Sequence, residues 1–293
     1  MIPPGPDATV GDWLMFDKEN PRNSRVLDRK SIVKRRAAGR ERQVQLIAAN
    51  IDTAFIVTSC NQDFNVARLE RYIALAMESD ITPVVVLTKI DLCDSPEPFV
   101  DDAKSISDEV VVVALDARSA QPATLLAPWC RPGQTVAFLG SSGVGKSTLT
   151  NSLSGGNDIE TQGIREGDDK GRHTTTHREL HFVQDGYAIL DTPGMRELQL
   201  TDVAGGIEHL FADFQELATQ CKFNDCAHET EPGCAILAAV ESGDIDPSRL
   251  QRWKKLAAED KFNSESLAQR KAKGKSLAKL IKTSKAAKSR VKK

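Results

Sequence analysis
The chain has 293 residues, 27% of them charged, with a net charge of -2 and a mean hydropathy of -0.35. No apolar run reaches the roughly 18 residues of a membrane-spanning helix, and Met1-Ile2-Pro3-Pro4-Gly5-Pro6 carries neither the basic start nor the apolar stretch of an export signal. A membrane role is therefore excluded at sequence level, a reducing cytoplasm is expected, and the length calls for more than one domain.

Residues 1–48 hold short strand-like pieces such as Trp13-Leu14-Met15-Phe16 and a basic stretch from Arg25 through Lys34-Arg35-Arg36 to Arg42, which predicts a small β domain. From 49 to 204 apolar β-rich runs alternate with helical patterns. Strands are predicted at Ala54–Val57, Val84–Leu87, Val110–Ala114, Val136–Leu139 and Tyr187–Leu190, with a helix over Ala67–Glu78. Continuous apolar strands separated by helices imply an α/β fold whose parallel sheet is buried on both faces. Residues 205–265 read as mostly helical, and 266–293 form a basic tail. From Arg270 to Lys293 there are 11 Lys or Arg and no acidic residue, so the rest of the chain carries 28 basic against 41 acidic residues.

Lys89 and Asp91 belong to Thr88-Lys89-Ile90-Asp91, which follows the strand ending at Leu87 and matches [NT]-K-x-D. The Asp91 carboxylate can accept from guanine's ring N–H and exocyclic amine, a donor pair that adenine lacks, while the Lys89 stem lies on the base plane. A bare T-K-x-D is most often a surface turn. Its position at the C-terminal end of a parallel strand, where open α/β sheets bind ligands, makes it a base site.

Gly140-Ser141-Ser142-Gly143-Val144-Gly145-Lys146-Ser147 fits G-x4-G-K-[ST], follows the strand Val136–Leu139 and opens a helix at Thr148. This is a P-loop in its required context: backbone amides cradle phosphates, Lys146 reaches the β and γ oxygens, and the Ser147 hydroxyl holds Mg²⁺. Arg172-His173-Thr174-Thr175-Thr176 lies between this loop and Asp191, and Thr175 is the candidate to complete the magnesium shell. Asp191-Thr192-Pro193-Gly194 is a common turn when alone. Beside a P-loop it is the third GTPase motif, with Asp191 near the metal and the Gly194 amide near the γ-phosphate. The base motif precedes the P-loop by about fifty residues, the reverse of the usual order, so the domain is circularly permuted.

Cys221, Cys226, His228 and Cys234 crowd into fourteen positions. In a reducing compartment such a cluster argues for metal rather than disulfides. Three thiolates and one imidazole complete a tetrahedral shell and leave no place for water, which describes a structural zinc site.

The motif order, with the stretches Cys221-Lys222-Phe223-Asn224-Asp225-Cys226-Ala227-His228 and Glu231-Pro232-Gly233-Cys234-Ala235-Ile236, closely resembles the ribosome small-subunit-dependent GTPase A family (RsgA, also called YjeQ) over roughly residues 10 to 260. The resemblance implies an N-terminal OB-fold barrel, a permuted GTPase domain and a zinc-binding helical domain. It also implies GTP hydrolysis stimulated by the 30S subunit during late maturation, with 16S rRNA as partner and a monomeric protein. Two departures stand out: only the latter part of the barrel is represented, and Ala114-Leu115-Asp116 occupies the place of the fifth motif's Ser-Ala. Met195 follows Gly194 where many GTPases carry the Gln that orients water. The resemblance makes His173 the candidate catalytic residue in its place. Two other readings stand beside this one, a P-loop small-molecule kinase and an RNA-binding module with a vestigial nucleotide pocket. The base motif and zinc cluster weigh against the first, and intact Lys146, Ser147 and Asp191 against the second.

Overall fold
The computed structural model describes residues 8–20, 23–36, 44–154, 179–191 and 202–264. Near the N-terminus β1 (Leu14–Met15) pairs antiparallel with β2 (Arg25–Val26), and β3 (Ile32–Arg36) with β4 (Val44–Ala49), the second ladder shifting register between Val33 and Lys34. These two-stranded ladders are what the described residues contribute to the expected partial barrel. They are tied to the rest of the chain at Asn50, whose amide side chain donates to the Gly11 carbonyl at 2.9 Å and accepts the Lys30 N–H at 2.9 Å.

The central sheet follows from uninterrupted apolar strands. In β5 (Thr53–Ser59) every residue is buried, and β6 (Thr82–Thr88) is buried from Val84 onward. Helix α1 (Val66–Glu78) connects them. It starts at Asn65, whose side chain accepts the Arg68 N–H at 3.0 Å, and Leu69, Ile73 and Ala76 share the buried face that its helical period creates. Next come α2 (Glu97–Lys104), β7 (Val111–Ala114), α3 (Gln121–Leu125), β8 (Thr135–Leu139), α4 (Lys146–Leu153), β9 (Glu179–Phe182) and β10 (Ala188–Asp191). The six strands run in the order β7-β6-β5-β8-β10-β9. All neighbours are parallel except β9, which pairs antiparallel with β10 at the edge. The sequence predicted a parallel sheet only. The edge strand is short, and its Glu179-Leu180-His181-Phe182 lacks the apolar run of a fully buried strand.

One sheet face packs with α3 and α4 through Leu126, Leu149 and Leu153. The other packs with α1 and α2, and the same core continues beyond α1 into four later helices, α5 (Ala204–Leu210), α6 (Ala212–Thr219), α7 (Ala235–Ser242) and α8 (Pro247–Ser264). Helix α5 lies directly on α1 because Gly206 has no side chain: a Cβ there would sit 2.0 Å from the Ala74 carbonyl oxygen. Polar groups fix the same junction. Glu70, 1% exposed on α1, accepts the Arg252 Nε–H at both oxygens, at 2.8 and 3.0 Å. Glu78 accepts the Gly206 N–H at 2.8 Å. At its far end α8 offers Asp260 to the Val203 N–H at 3.0 Å and Ser264 to the Asp202 N–H at 2.8 Å, supplying the first-turn partners that α5 lacks in its own sequence. No helix among the described residues is long and apolar enough to cross a membrane.

Candidate nucleotide site and metal centre
Because β5, β6, β7, β8 and β10 are parallel, the loops that follow them leave from one edge of the sheet. Register does the rest. Ser59 faces Thr88, Leu87 faces Ala114, Ile56 faces Leu139 and Leu190 faces Ala137, so the phosphate loop after β8 stands between the end of β5 and the strand ending at Asp191.

Gly140 begins the loop at φ 138, a backbone shape that only glycine adopts without strain, and a Cβ there would lie 2.1 Å from the Val57 carbonyl oxygen. Ser141, Ser142 and Gly143 lead to Val144, which is buried and anchors the loop in the core. Gly145, at φ 100, immediately precedes α4. Helix α4 opens with Lys146, Ser147 and Thr148, the latter two exposed, so its free N–H groups and positive dipole end face the loop. Lys146 Nζ donates to the Gly140 carbonyl at 2.8 Å and to the Ser141 carbonyl, folding over the loop it would otherwise extend beyond.

The base motif sits one strand beyond β5. Thr88 is wholly buried, and its hydroxyl reaches the main-chain oxygens of Val144 at 2.6 Å and Thr58 at 3.1 Å. Lys89 has φ 59 and turns the chain into a short 3-10 turn at Ile90–Leu92, which leaves the Asp91 side chain exposed. The third element of a base pocket, the turn after β7, is adjacent: the Leu115 N–H donates to the Leu87 carbonyl at 2.9 Å, and the Asp116 carboxylate accepts the Arg118 N–H at 2.8 Å. Of the remaining predicted positions, Asp191 is placed by its backbone at the end of β10, while His173, Thr175 and Gly194 lie outside the described residues. The structure thus brings together the P-loop, Thr88 to Asp91 and the end of β10 on one edge.

The predicted metal ligands also converge. The ligand atoms of Cys221, Cys226, His228 and Cys234 all lie within 4.8 Å of one another. His228 turns Nδ1 toward the thiols, 3.6 Å from Cys221 Sγ and 3.4 Å from Cys234 Sγ. Gly233 reverses the chain, with the Lys222 N–H donating to its carbonyl at 3.0 Å, and Cys234 is delivered to the group at the start of α7. Burial, with the Lys254 charge beside it, lowers the His228 pKa below its ordinary value and favours the neutral ring a metal requires. Compact spacing and a Cys₃His donor set fit Zn²⁺ in tetrahedral coordination. Behind the ligands, the Trp253 ring lies 5.8 Å from the His228 ring, and Lys254 Nζ donates to the His228 carbonyl. These α8 residues escaped sequence reading because they lie some twenty to thirty positions from the cysteines. Glu231 escaped for another reason: it lies among the ligands yet is not one of them.

Comparison with known proteins completes the site. The RsgA GTPase family model matches residues 26–201. The chain is similar to the small ribosomal subunit biogenesis GTPase RsgA 2 of Vibrio parahaemolyticus, 47% identical over 275 residues covering 94% of this chain and 76% of that protein. It is 52% identical over 261 residues to the small ribosomal subunit biogenesis GTPase RsgA of Mesorhizobium japonicum, covering 88% of this chain and 75% of that one. Among solved structures it resembles YjeQ from Thermotoga maritima, with TM-score 0.60 and 27% identity over 85% of this chain and 83% of that one. It also resembles YloQ, a circularly permuted GTPase, with TM-score 0.59 and 25% identity over 87% and 82%.

Proposed function
The chain belongs to the RsgA GTPase family, and on that premise we propose that it hydrolyses GTP during maturation of the small ribosomal subunit. The observation that carries the reading is the meeting of base motif and phosphate loop at one sheet edge, joined through Thr88. In this reading Gly140 to Thr148 cradle the phosphates, Lys146 leaves the Gly140 and Ser141 carbonyls for the β and γ oxygens, and Asp91 with Lys89 selects guanine. Ser147, Asp191 and Thr175 would hold Mg²⁺, which would supply charge neutralisation to the phosphates. Gly194 meets the γ-phosphate, and His173 orients the attacking water in the position Met195 cannot serve. Hydrolysis is then slow until a partner brings His173 to the attacking water.

That partner is the 30S subunit with its 16S rRNA, in keeping with the names of the relatives. The division into a β domain at 1–48, a GTPase domain at 49–204, a helical zinc domain at 205–265 and a basic tail belongs to the same reading, as do a cytoplasmic, monomeric protein and a zinc ion on Cys221, Cys226, His228 and Cys234. The two antiparallel ladders, β1 with β2 and β3 with β4, support a partial OB-type barrel. Single-turnover GTP hydrolysis, measured with and without purified 30S subunits and repeated with His173→Ala, tests the proposal. Stimulation by the subunits that the variant loses is expected. Equal rates with and without subunits would overturn the ribosomal role, and normal stimulation in the variant would overturn that of His173.

A further inference from the structure
Between Cys226 and Cys234 the chain makes a loop whose amides converge on a single side chain. Glu231 Oε1 accepts the Ala227 N–H at 2.9 Å, and Oε2 accepts the Glu229 N–H at 2.8 Å and the Thr230 N–H at 3.0 Å. Successive N–H groups pointing into one concavity form an anion nest, and here the anion is supplied by the loop itself. The residue framed by the first two donors is His228, at φ 55. A residue with a Cβ occupies that left-handed region only at an energetic cost, so something must hold it there. The carboxylate grips the peptide on both sides of it. The main chain of Glu231 contributes as well, its carbonyl accepting the Cys234 N–H at 3.3 Å. Backbone N–H groups, those of Glu229, Glu231, Ala227 and Thr230, hold the Glu231 carboxyl down at about 2, so it is ionised throughout the neutral range.

We propose that Glu231 is a positioning residue for the metal centre: it keeps the 227–230 backbone in the one shape that aims His228 Nδ1 at the three thiols, without itself reaching the metal. The inference rests on the reading of the Cys₃His group as a zinc site. A neutral amide at this position keeps the size of the side chain but offers one oxygen in place of two and places an N–H against backbone N–H groups. Outer partners of this kind typically change metal affinity by 10- to 100-fold.

The test uses the full-length, zinc-loaded protein with Glu231→Gln and, as a control on the same loop, Glu229→Gln, whose residue is exposed. Four quantities are measured: zinc content after purification, the rate of zinc release to a chromogenic chelator, hydrogen exchange of the Ala227, Glu229 and Thr230 amides, and GDP binding. Expected for Glu231→Gln is zinc release at least about tenfold faster with those three amides deprotected, while Glu229→Gln and GDP binding by both variants stay as in the unmodified chain. Release within twofold of the unmodified chain, or acceleration equal in both variants, overturns the positioning role. If Glu231→Gln is recovered without zinc, protection of β5 and β6 amides separates a lost site, which supports the role, from a protein that no longer folds, in which case Glu231→Asp must release zinc faster from a folded chain or the role is rejected. An unmodified protein that carries no zinc overturns the metal reading itself, and the inference with it.

Discussion
The hydroxyl of Thr88 donates to the main-chain oxygen of Val144 at 2.6 Å, joining the base motif to the phosphate loop across 56 residues of sequence. A threonine hydroxyl has one proton to give, and the longer approach to Thr58 at 3.1 Å is the weaker of its two contacts. Thr88→Val keeps the volume but leaves the buried Val144 carbonyl without this donor, a loss of about 1–3 kcal/mol. Affinity for GDP is expected to fall by roughly 5- to 100-fold, while Thr88→Ser stays near the unmodified value. Nucleotide titration by calorimetry checks this, and unchanged binding by Thr88→Val would show that the contact is incidental.

Asp91 is exposed at the mouth of the same site and is assigned the guanine edge. Asp91→Asn replaces a carboxylate that accepts two donors with an amide that offers one, so preference should move from GTP toward XTP. Competition between the two nucleotides on each protein measures it. Equal binding of ATP and GTP by the unmodified chain would remove the basis for the assignment.

At the metal centre, Cys226→Ser combined with Cys234→Ser removes two of the four donors that lie within 4.8 Å of one another. Zinc should fall from one per chain to a trace, with earlier unfolding of the helices around the site, because structural zinc contributes its binding energy to folding. Elemental analysis and thermal unfolding give the answer, and full zinc in the double variant would contradict the ligand set.

Burial raises the pKa of Glu70, while the hydrogen bond and charge of Arg252 pull it back. Arg252→Ala leaves a carboxylate that is 1% exposed without the guanidinium that serves both its oxygens, at a cost of about 3–5 kcal/mol. The sign with pH follows: a buried acid whose folded pKa lies above its unfolded one holds its proton better when folded, so stability is lost as pH rises through the carboxylate range. The variant should therefore lose more stability relative to the unmodified chain at pH 8 than at pH 5. Urea unfolding at the two pH values decides it, and a pH-independent difference would show that Glu70 carries no unpaired charge.

Deleting residues 268 to 293 removes a segment with 11 basic side chains and no nucleotide motif. Binding to small subunits should weaken and lose part of its salt dependence, while intrinsic hydrolysis is unchanged. A truncated chain with the same affinity and salt slope would reduce the tail to a solubilising appendage.

Much of this architecture is legible in the sequence because the signals are local. The runs Ala54–Val57 and Val84–Leu87 lie inside β5 and β6, the helix expected from Ala67 starts at Val66, and the P-loop lies between β8 and α4 as its motif requires. The Cys₃His group could be read from donor chemistry and spacing alone, and its four ligand atoms lie together in the fold. What stayed hidden depends on distant pairing. The antiparallel β9 gains its place from β10 rather than from its own composition, and Gly206 is an ordinary helical glycine until α1 is laid beneath it. Thr88 satisfies [NT]-K-x-D on paper, and only the position of Val144 shows what the hydroxyl does. Glu231 resembles any surface acid until the loop folds around it.

The Glu70–Arg252 pair spans 182 residues, which sets a schedule for a chain made from its N-terminus. At about 5–20 residues per second, Arg252 is synthesised roughly 10–40 s after Glu70. Through that interval the nascent α1 lacks the guanidinium for its buried carboxylate, and α5, which packs on it, follows only once residue 210 has been made. Any product that stops before Arg252 leaves the Glu70 carboxylate without its partner, so incomplete chains carry a ready mark for chaperones and proteases that the finished protein hides.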